Sequence, residues 1–401
     1  MLEEGSLIGN QHGGTWKIIK KIGSGRCCQV YEGLDVVSKS QVAIKVYNEG
    51  LKFNCAHQRE FLLLKIVHEK CGEVTQLVRM LESCCYGNQQ VLIDEYLQPS
   101  LSVIIYTAKQ QSHPSLFIIH KIINDVARGL SALHLCGFVH ADLKPDNIQW
   151  SPKSGTFKLI DFGLSFNILD KEIGLVQSSS YRAPEVVCPN QPGNVPSTAI
   201  DIWSLGVLAL YLVSEHKLTD YRKIQGLCAG CQGDENKCEN TAIVEKLFQQ
   251  TTWHDQNNLL EKLKEIVTQC LQCQISRRPT CSDVLQQIHT LTSLNAGFLD
   301  LLILPTCILR LLNMLDGCEI KNETELSDIK DDIVEECKKY GPVKDCIIPT
   351  DGPGINKVYV YFMSHIDAAS AFTKLNGRTF NDRTVITTYF LPVDFYTKNF
   401  F

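Results

Sequence analysis

Two short runs hold the residues best suited to chemistry in this chain: Asp142-Leu143-Lys144-Pro145-Asp146-Asn147 and Asp161-Phe162-Gly163. A carboxylate such as Asp142 can accept the proton of an attacking hydroxyl, Lys144 can reach a transferred phosphate, and Asn147 and Asp161 offer oxygens to magnesium. The gap between the runs suits a short hairpin, so both can reach one place. The chemistry that needs such a set is phosphoryl transfer, where a protein mostly positions groups and stabilises charge.

Extended back to Val139-His140-Ala141, the first run resembles a protein kinase catalytic loop, and upstream segments add to the likeness. An apolar-rich strand over residues 16–22 leads into Gly23-Ser24-Gly25-Arg26-Cys27-Cys28-Gln29-Val30, similar to a glycine-rich loop in which Gly23 and Gly25 let the backbone approach phosphate. Val42-Ala43-Ile44-Lys45 resembles the third-strand motif whose lysine holds the nucleotide phosphates, and Glu60, on a helical stretch over 57–67, is its carboxylate partner. The apolar run 91–97 resembles the strand entering the hinge. There the resemblance implies that backbone groups of Glu95 and Leu97 meet the adenine edge, with Ile22, Val30 and Ala43 also contacting ATP. A helix over Leu116–Leu135 packs beneath the loop by its apolar spacing.

The likeness runs from about residue 16 to 294 and has named departures. Cys28 stands for the third glycine, Asp94 for an apolar or hydroxyl-bearing residue, Gln149 for an aliphatic one, and Ala141 for an arginine. In kinases that keep it, that arginine pairs with a phosphorylated activation loop. Ala141 cannot, so the segment 161–185 is expected to be ordered without phosphate; the alternative is control through Ser178, Ser179 or Ser180. By the same resemblance Glu185 pairs with Arg278, Asp201 braces the catalytic loop, and Arg182 binds substrate by shaping a pocket that accepts proline after the target serine, since a prolyl nitrogen donates no hydrogen bond.

Composition fits these readings. The 401 residues allow two or three domains, with 21% charged and 44% hydrophobic residues as in ordinary globular chains. A net charge of −5 provides no global attraction to nucleic acid. Met1-Leu2-Glu3-Glu4 is acidic and no apolar signal core follows, so a non-secreted, soluble protein without membrane contact is expected. Most of the eighteen cysteines are expected to be reduced thiols; zinc at Cys228, Cys231 and Cys238, with the pair Cys270 and Cys273, is the open alternative.

After residue 294 the pattern changes. Strands over 307–315, 343–349, 357–362 and 384–390 and helices over 327–340 and 366–375 give the order βαββαβ, which resembles an RNA-recognition-motif fold. The expected class is therefore α+β: a bilobal kinase over 15–297, followed by this smaller domain over 298–401. Its base-stacking positions are read as Leu309 and Lys357, with only Tyr359 aromatic. Between Asp316 and Tyr340 nine acidic residues face four lysines, an excess of five negative charges that repels phosphate. RNA binding is thus expected to be weak or absent. Asp328, Asp332 and Glu336 share one helix face, and Arg378-Thr379-Phe380 precedes the last strand. Together they resemble the protein-binding variant of the fold, the homology motif of the splicing auxiliary factor (UHM). The resemblance implies that a ligand tryptophan packs on Phe380 under Arg378, while the acidic row takes basic ligand residues.

Kinases that carry a UHM form a family that the tandem order resembles. That implies a serine/threonine kinase using ATP and Mg2+, acting on Ser-Pro sites in splicing factors and stathmin, in the nucleus, with the cytoplasm as the second location. A pseudokinase scaffold that docks splicing proteins and an RNA-binding regulator are the rival readings.

Overall fold

The computed structural model describes the chain except residues 1, 11–12, 110–114, 171–172, 188–194, 215–239, 250–258, 290–295, 316–322 and 381–382. The chain divides into two compact units: Met1–Tyr106, Ile119–Gln149 and Phe157–Thr292 in one, and Thr107–Ile118, Trp150–Thr156 and Ser293–Phe401 in the other.

The first unit begins with six antiparallel strands: β1 (Leu7–Gly9), β2 (Thr15–Ser24), β3 (Cys28–Asp35), β4 (Gln41–Tyr47), β5 (Met80–Tyr86) and β6 (Gln89–Glu95). They are ordered β1-β2-β3-β4-β6-β5. Val42, Ile44 and Val46 join Ile18, Tyr31, Val91 and Ile93 in one apolar cluster. Strand alternation therefore turns Ala43 and Lys45 to the opposite face. Helix α1 (Leu51–Cys71) buries Ala56, Glu60, Leu63, Leu64 and Val67, a stripe at helical spacing. It is longer than the 57–67 expected from sequence.

Helices α2 (Leu101–Lys109) and α3 (Leu116–Leu135) follow, then β7 (Phe138–Val139), β8 (Ile148–Ser151), β9 (Thr156–Leu159) and β10 (Phe166–Asn167). Strand β7 pairs with β10 and β8 with β9, so short ladders hold the segments that carry Asp142 and Asp161. Beyond them lie α4 (Pro184–Val187), α5 (Ala199–Val213), α6 (Asn240–Gln249), α7 (Leu259–Cys270) and α8 (Cys281–His289). Helix α5 is buried along nearly its whole length, as an all-round apolar helix must be. Glu185 and Arg278 form a bidentate buried pair at 2.6 and 2.8 Å.

The second unit opens with α9 (Phe298–Ile303) and then β11 (Ile308–Leu312), α10 (Glu323–Lys338), β12 (Val343–Ile347), β13 (Val358–Phe362), α11 (His365–Leu375), β14 (Thr379–Phe380), β15 (Arg383–Thr384), β16 (Ile386–Phe390) and α12 (Pro392–Tyr396). The main sheet is antiparallel in the order β12-β13-β11-β16. Leu309, Leu311, Val358, Val360 and Phe362 pack with Ile329, Ile333 and Cys337 of α10 and Ala368, Ala371 and Leu375 of α11. The expected strand over 307–315 is shorter because Asn313 turns left-handed at φ 61°. The last strand starts at Ile386, since Arg383 and Thr384 pair back with Phe380 and Thr379. Helices α9 and α12 were not read from the sequence.

The base-stacking assignment needs correction. Leu309 lies in the helix-facing core, while Ile308, Tyr359, Tyr361 and Phe390 share the opposite face. Arg310, opposite Tyr359 in register, is the first-strand residue at the expected stacking position. The face is not poor in rings, as the sequence reading held; it is covered. Phe395, Phe400 and Phe401 pack on it, Arg310 Nη1 and Tyr359 Oη donate to the Phe401 carbonyl at 2.8 and 2.9 Å, and Phe400 lies 4.6 Å from the Tyr359 ring.

Candidate functional site

Lys45 Nζ donates to Glu60 Oε1 at 2.5 Å, and Tyr47 Oη donates to Glu60 Oε2 at 2.5 Å. Burial opposes the Lys45 charge, but Glu60, with Asp94 and Asp161 behind it, holds its pKa above the ordinary lysine value. The lysine thus stays charged at one fixed position.

Asp142 sits at the centre of a second network. Its Oδ2 accepts from Lys144 Nζ at 2.7 Å and Asn147 Nδ2 at 3.0 Å, and its Oδ1 accepts from Ser178 Oγ at 2.8 Å. Lys144 also reaches Ser178 at 3.0 Å, and Asn147 Nδ2 donates to the Asp142 carbonyl at 2.8 Å. Ser178 is a member that the sequence reading missed: it was weighed only as a phosphorylation site, because a hydroxyl in the run Ser178-Ser179-Ser180 shows no sign of which way it points. Ser179 and Ser180 are the exposed members of that run.

The loop backbone is held in an unfavourable conformation. Ala141 has φ 62°, which costs a non-glycine residue on the order of 1 kcal/mol or more. Asp201 of α5 compensates by accepting from the amides of His140 at 2.8 Å and Ala141 at 2.9 Å and by bonding His134 Nε2 at 2.9 Å. Phe162 is buried 5.2 Å from the His140 ring, while Asp161 remains exposed at φ 64°. Asn147 donates through Nδ2, so its carbonyl oxygen and the Asp161 carboxylate are the hard oxygen donors that would meet magnesium.

Gln177 ties the activation segment down. Its amide donates to the Ala141 carbonyl at 2.8 Å, its Nε2 to Ile200 O and Ser204 Oγ, and its Oε1 accepts from Ala183 N. Arg182 donates to the carbonyls of Val176 at 3.1 Å and Gln177 at 2.8 Å. None of these contacts needs a phosphate.

On the adenine side, Gly23 pairs with Val30, the Gly25 amide turns back to Cys28 O at 2.9 Å, and Ala43 lies opposite Asp94. Ile22 is exposed and Leu97 buried. The Glu95 carboxylate is engaged by Lys158 at 2.5 Å and by the Arg79 amide, and the Glu95 amide donates to the Arg79 carbonyl at 2.9 Å. Cys28 is pushed up to about 12, mainly by burial, so it is no thiolate beside the phosphates. Asp94 is 2% exposed, and its Oδ1 has no partner among the described residues. Burial raises its pKa to about 7, with Lys45 pulling the other way.

In the second unit, a cavity of about 320 Å³ opens between α10 and strand β14. Met314, Ile333, Leu375 and Phe380 supply apolar walls; Asp332, Glu336 and Arg378 line its polar side. Arg378 bonds Glu336 and Tyr340, and Lys339 bonds Glu336 as well. These bonds, Lys339's first, hold the Glu336 carboxyl down at about 2. Asp328 lies outside the lining, and Lys339 adds a positive group that the sequence reading did not place there. The thiols Cys228, Cys231 and Cys238 lie outside the described residues; no metal-binding cluster occurs among the described ones. No helix of the described residues is long and apolar enough to cross a membrane.

Comparison with known proteins agrees with both units. A protein kinase domain model matches residues 16–289, and an RNA recognition motif model matches residues 329–386. Serine/threonine-protein kinase Kist of Rattus norvegicus is 33% identical over 317 residues, 77% of this chain and 73% of the relative. Kist of Homo sapiens is 33% identical over 316 residues, with the same shares. Human dual specificity tyrosine-phosphorylation-regulated kinase 3 is 32% identical over 207 residues, 51% of this chain and 34% of that protein.

Proposed function

Since the chain belongs to the protein kinase family, as a serine/threonine kinase of the Kist type joined to an RNA-recognition-motif fold, we propose that it phosphorylates serines followed by proline in proteins held by its C-terminal domain. We assign the kinase domain to 15–297 and the docking domain to 298–401. Bound ATP with Mg2+ supplies the phosphoryl group and neutralises its charge. Lys45, fixed by Glu60, orients the phosphates; Asn147 and Asp161 hold the metal; Asp142 takes the proton of the serine hydroxyl; Lys144 meets the moving phosphoryl group. Ile22, Gly23, Gly25, Val30, Ala43 and the backbone of Glu95 and Leu97 frame the nucleotide.

The observation that carries proline direction is Arg182, which occupies the carbonyls of both Val176 and Gln177. With those acceptors taken, a substrate amide after the serine gains little, and a prolyl nitrogen loses nothing. The Gln177 contacts support an activation segment competent without phosphate. In the second domain, the cavity walled by Phe380 under Arg378 fits an aromatic side chain, and Asp332 and Glu336 at its edge, with Asp328 further along α10, favour basic neighbours. A tryptophan within a basic segment, as in splicing factors, is the proposed docking ligand. Stathmin is the further proposed substrate and the nucleus the proposed site of action.

The test compares two peptides that differ only in Ser-Pro or Ser-Ala. The expected result is a kcat/KM at least about tenfold lower for Ser-Ala, near 1.4 kcal/mol of transition-state discrimination. Equal values would refute proline direction.

A further inference from the structure

Helices α1 and α3 end beside each other, α1 on a cysteine and α3 just before one, each cysteine followed by a glycine of positive φ. Cys71 closes α1 before Gly72 at φ 71°, and Cys136 follows α3 before Gly137 at φ 82°. Their sulfurs are 3.6 Å apart although 65 residues separate them. Cys71 is exposed and Cys136 is buried. We propose that this pair is a redox site, closing to a disulfide that ties α1 to α3.

A disulfide needs about 2.05 Å between the sulfurs. The remaining approach is within reach of side-chain rotation at two helix ends whose glycines leave the backbone free to adjust. Exposure assigns the order of events. Peroxide reaches the Cys71 thiol, giving a sulfenic acid and releasing one water; the Cys136 sulfur then attacks the Cys71 sulfur, and the hydroxyl leaves as a second water. Overall the two thiols lose two protons and two electrons to one peroxide molecule. Burial of Cys136 raises its pKa to about 11, which slows the second step, and proximity offsets this.

The product restrains α1, whose Glu60 holds Lys45. It also closes a long loop in the unfolded chain, so the oxidised protein should be harder to unfold. Because the reduced geometry already places the sulfurs side by side, closure should not move Glu60 away.

The experiment treats the full chain with hydrogen peroxide at a one-to-one ratio, blocks free thiols and digests without reductant. The expected result is a peptide linking Cys71 to Cys136 that dithiothreitol releases. A melting temperature raised by several degrees and peptide phosphorylation within about twofold of the reduced protein should accompany it. Cys71→Ser, at an exposed position, should fold normally, yield no link and leave Cys136 free to be blocked. The proposal is overturned if Cys136 is blocked as fully after peroxide as before it, or if Cys71 links to another cysteine instead.

Discussion

The catalytic cleft and the docking cavity both rest on charged side chains, but they hold them in opposite ways. In the cleft, Lys45, Glu60, Asp142 and Asn147 are all buried, and they bond in two pairs, Lys45 with Glu60 and Asn147 with Asp142. At the docking cavity, Arg378 is 51% exposed and Glu336 29%, in a cluster open to salt and water. Buried charges have one geometry and lose much when a partner is removed; exposed ones adapt and lose little. On the proposed function, the difference separates a reaction that needs fixed positions from recognition that tolerates varied ligands.

The sharpest way to break this contrast is at the base. Asp142→Asn keeps the shape of the network but cannot accept the serine proton, so phosphorylation of a Ser-Pro peptide should fall by roughly 10² to 10⁴. A residual rate near wild type, in a radiometric assay with folding checked by circular dichroism, would return the scaffold reading. The docking side should respond more mildly. Phe380→Ala removes an apolar wall of the cavity, and binding of a basic, tryptophan-containing peptide should weaken by at least about thirtyfold, near 2 kcal/mol, in titration calorimetry. Turnover of a short Ser-Pro peptide should stay unchanged. Raising salt should weaken the docking and leave that turnover nearly alone.

The smallest effect concerns the flaw in the buried set. Asp94 has a folded pKa raised to about 7, against an ordinary 3.8. Wild type therefore has the full stability of neutral Asp94 below about pH 4 and loses it as pH rises through 7. Asp94→Asn never ionises, so its melting temperature should exceed that of wild type by an amount that grows between pH 5 and 7 and levels off above. A constant gap across that range would mean that Asp94 is solvated after all.

Much of the cleft was legible because a phosphoryl-transfer site uses rare residue types at stretches of fixed spacing. The expected pairs Lys45 with Glu60 and Glu185 with Arg278 are both formed. Gln177 and Ser178 were not legible, since their roles follow from where a left-handed turn at Gln177, φ 63°, aims them. In the second domain, element order was readable from alternation and helical spacing, but the strand phase of β11 was not. In Ile308-Leu309-Arg310-Leu311-Leu312 apolar residues occupy both faces, so nothing marks which face is inward, and a slip of one residue turns every side chain over. The burial of Arg310 was not legible for a related reason: its cover comes from Phe401, far away in sequence.

That cover makes the second domain a sandwich of helices, sheet and aromatic segment, with β13 enclosed on both sides. All five residues of β13 are buried. Its amides should exchange with deuterium only when the whole domain opens, which turns the strand into an internal gauge of domain stability. Any ligand that selects the folded form must slow that exchange in proportion to its occupancy. The affinity of a docking peptide can thus be read from a strand that it never touches.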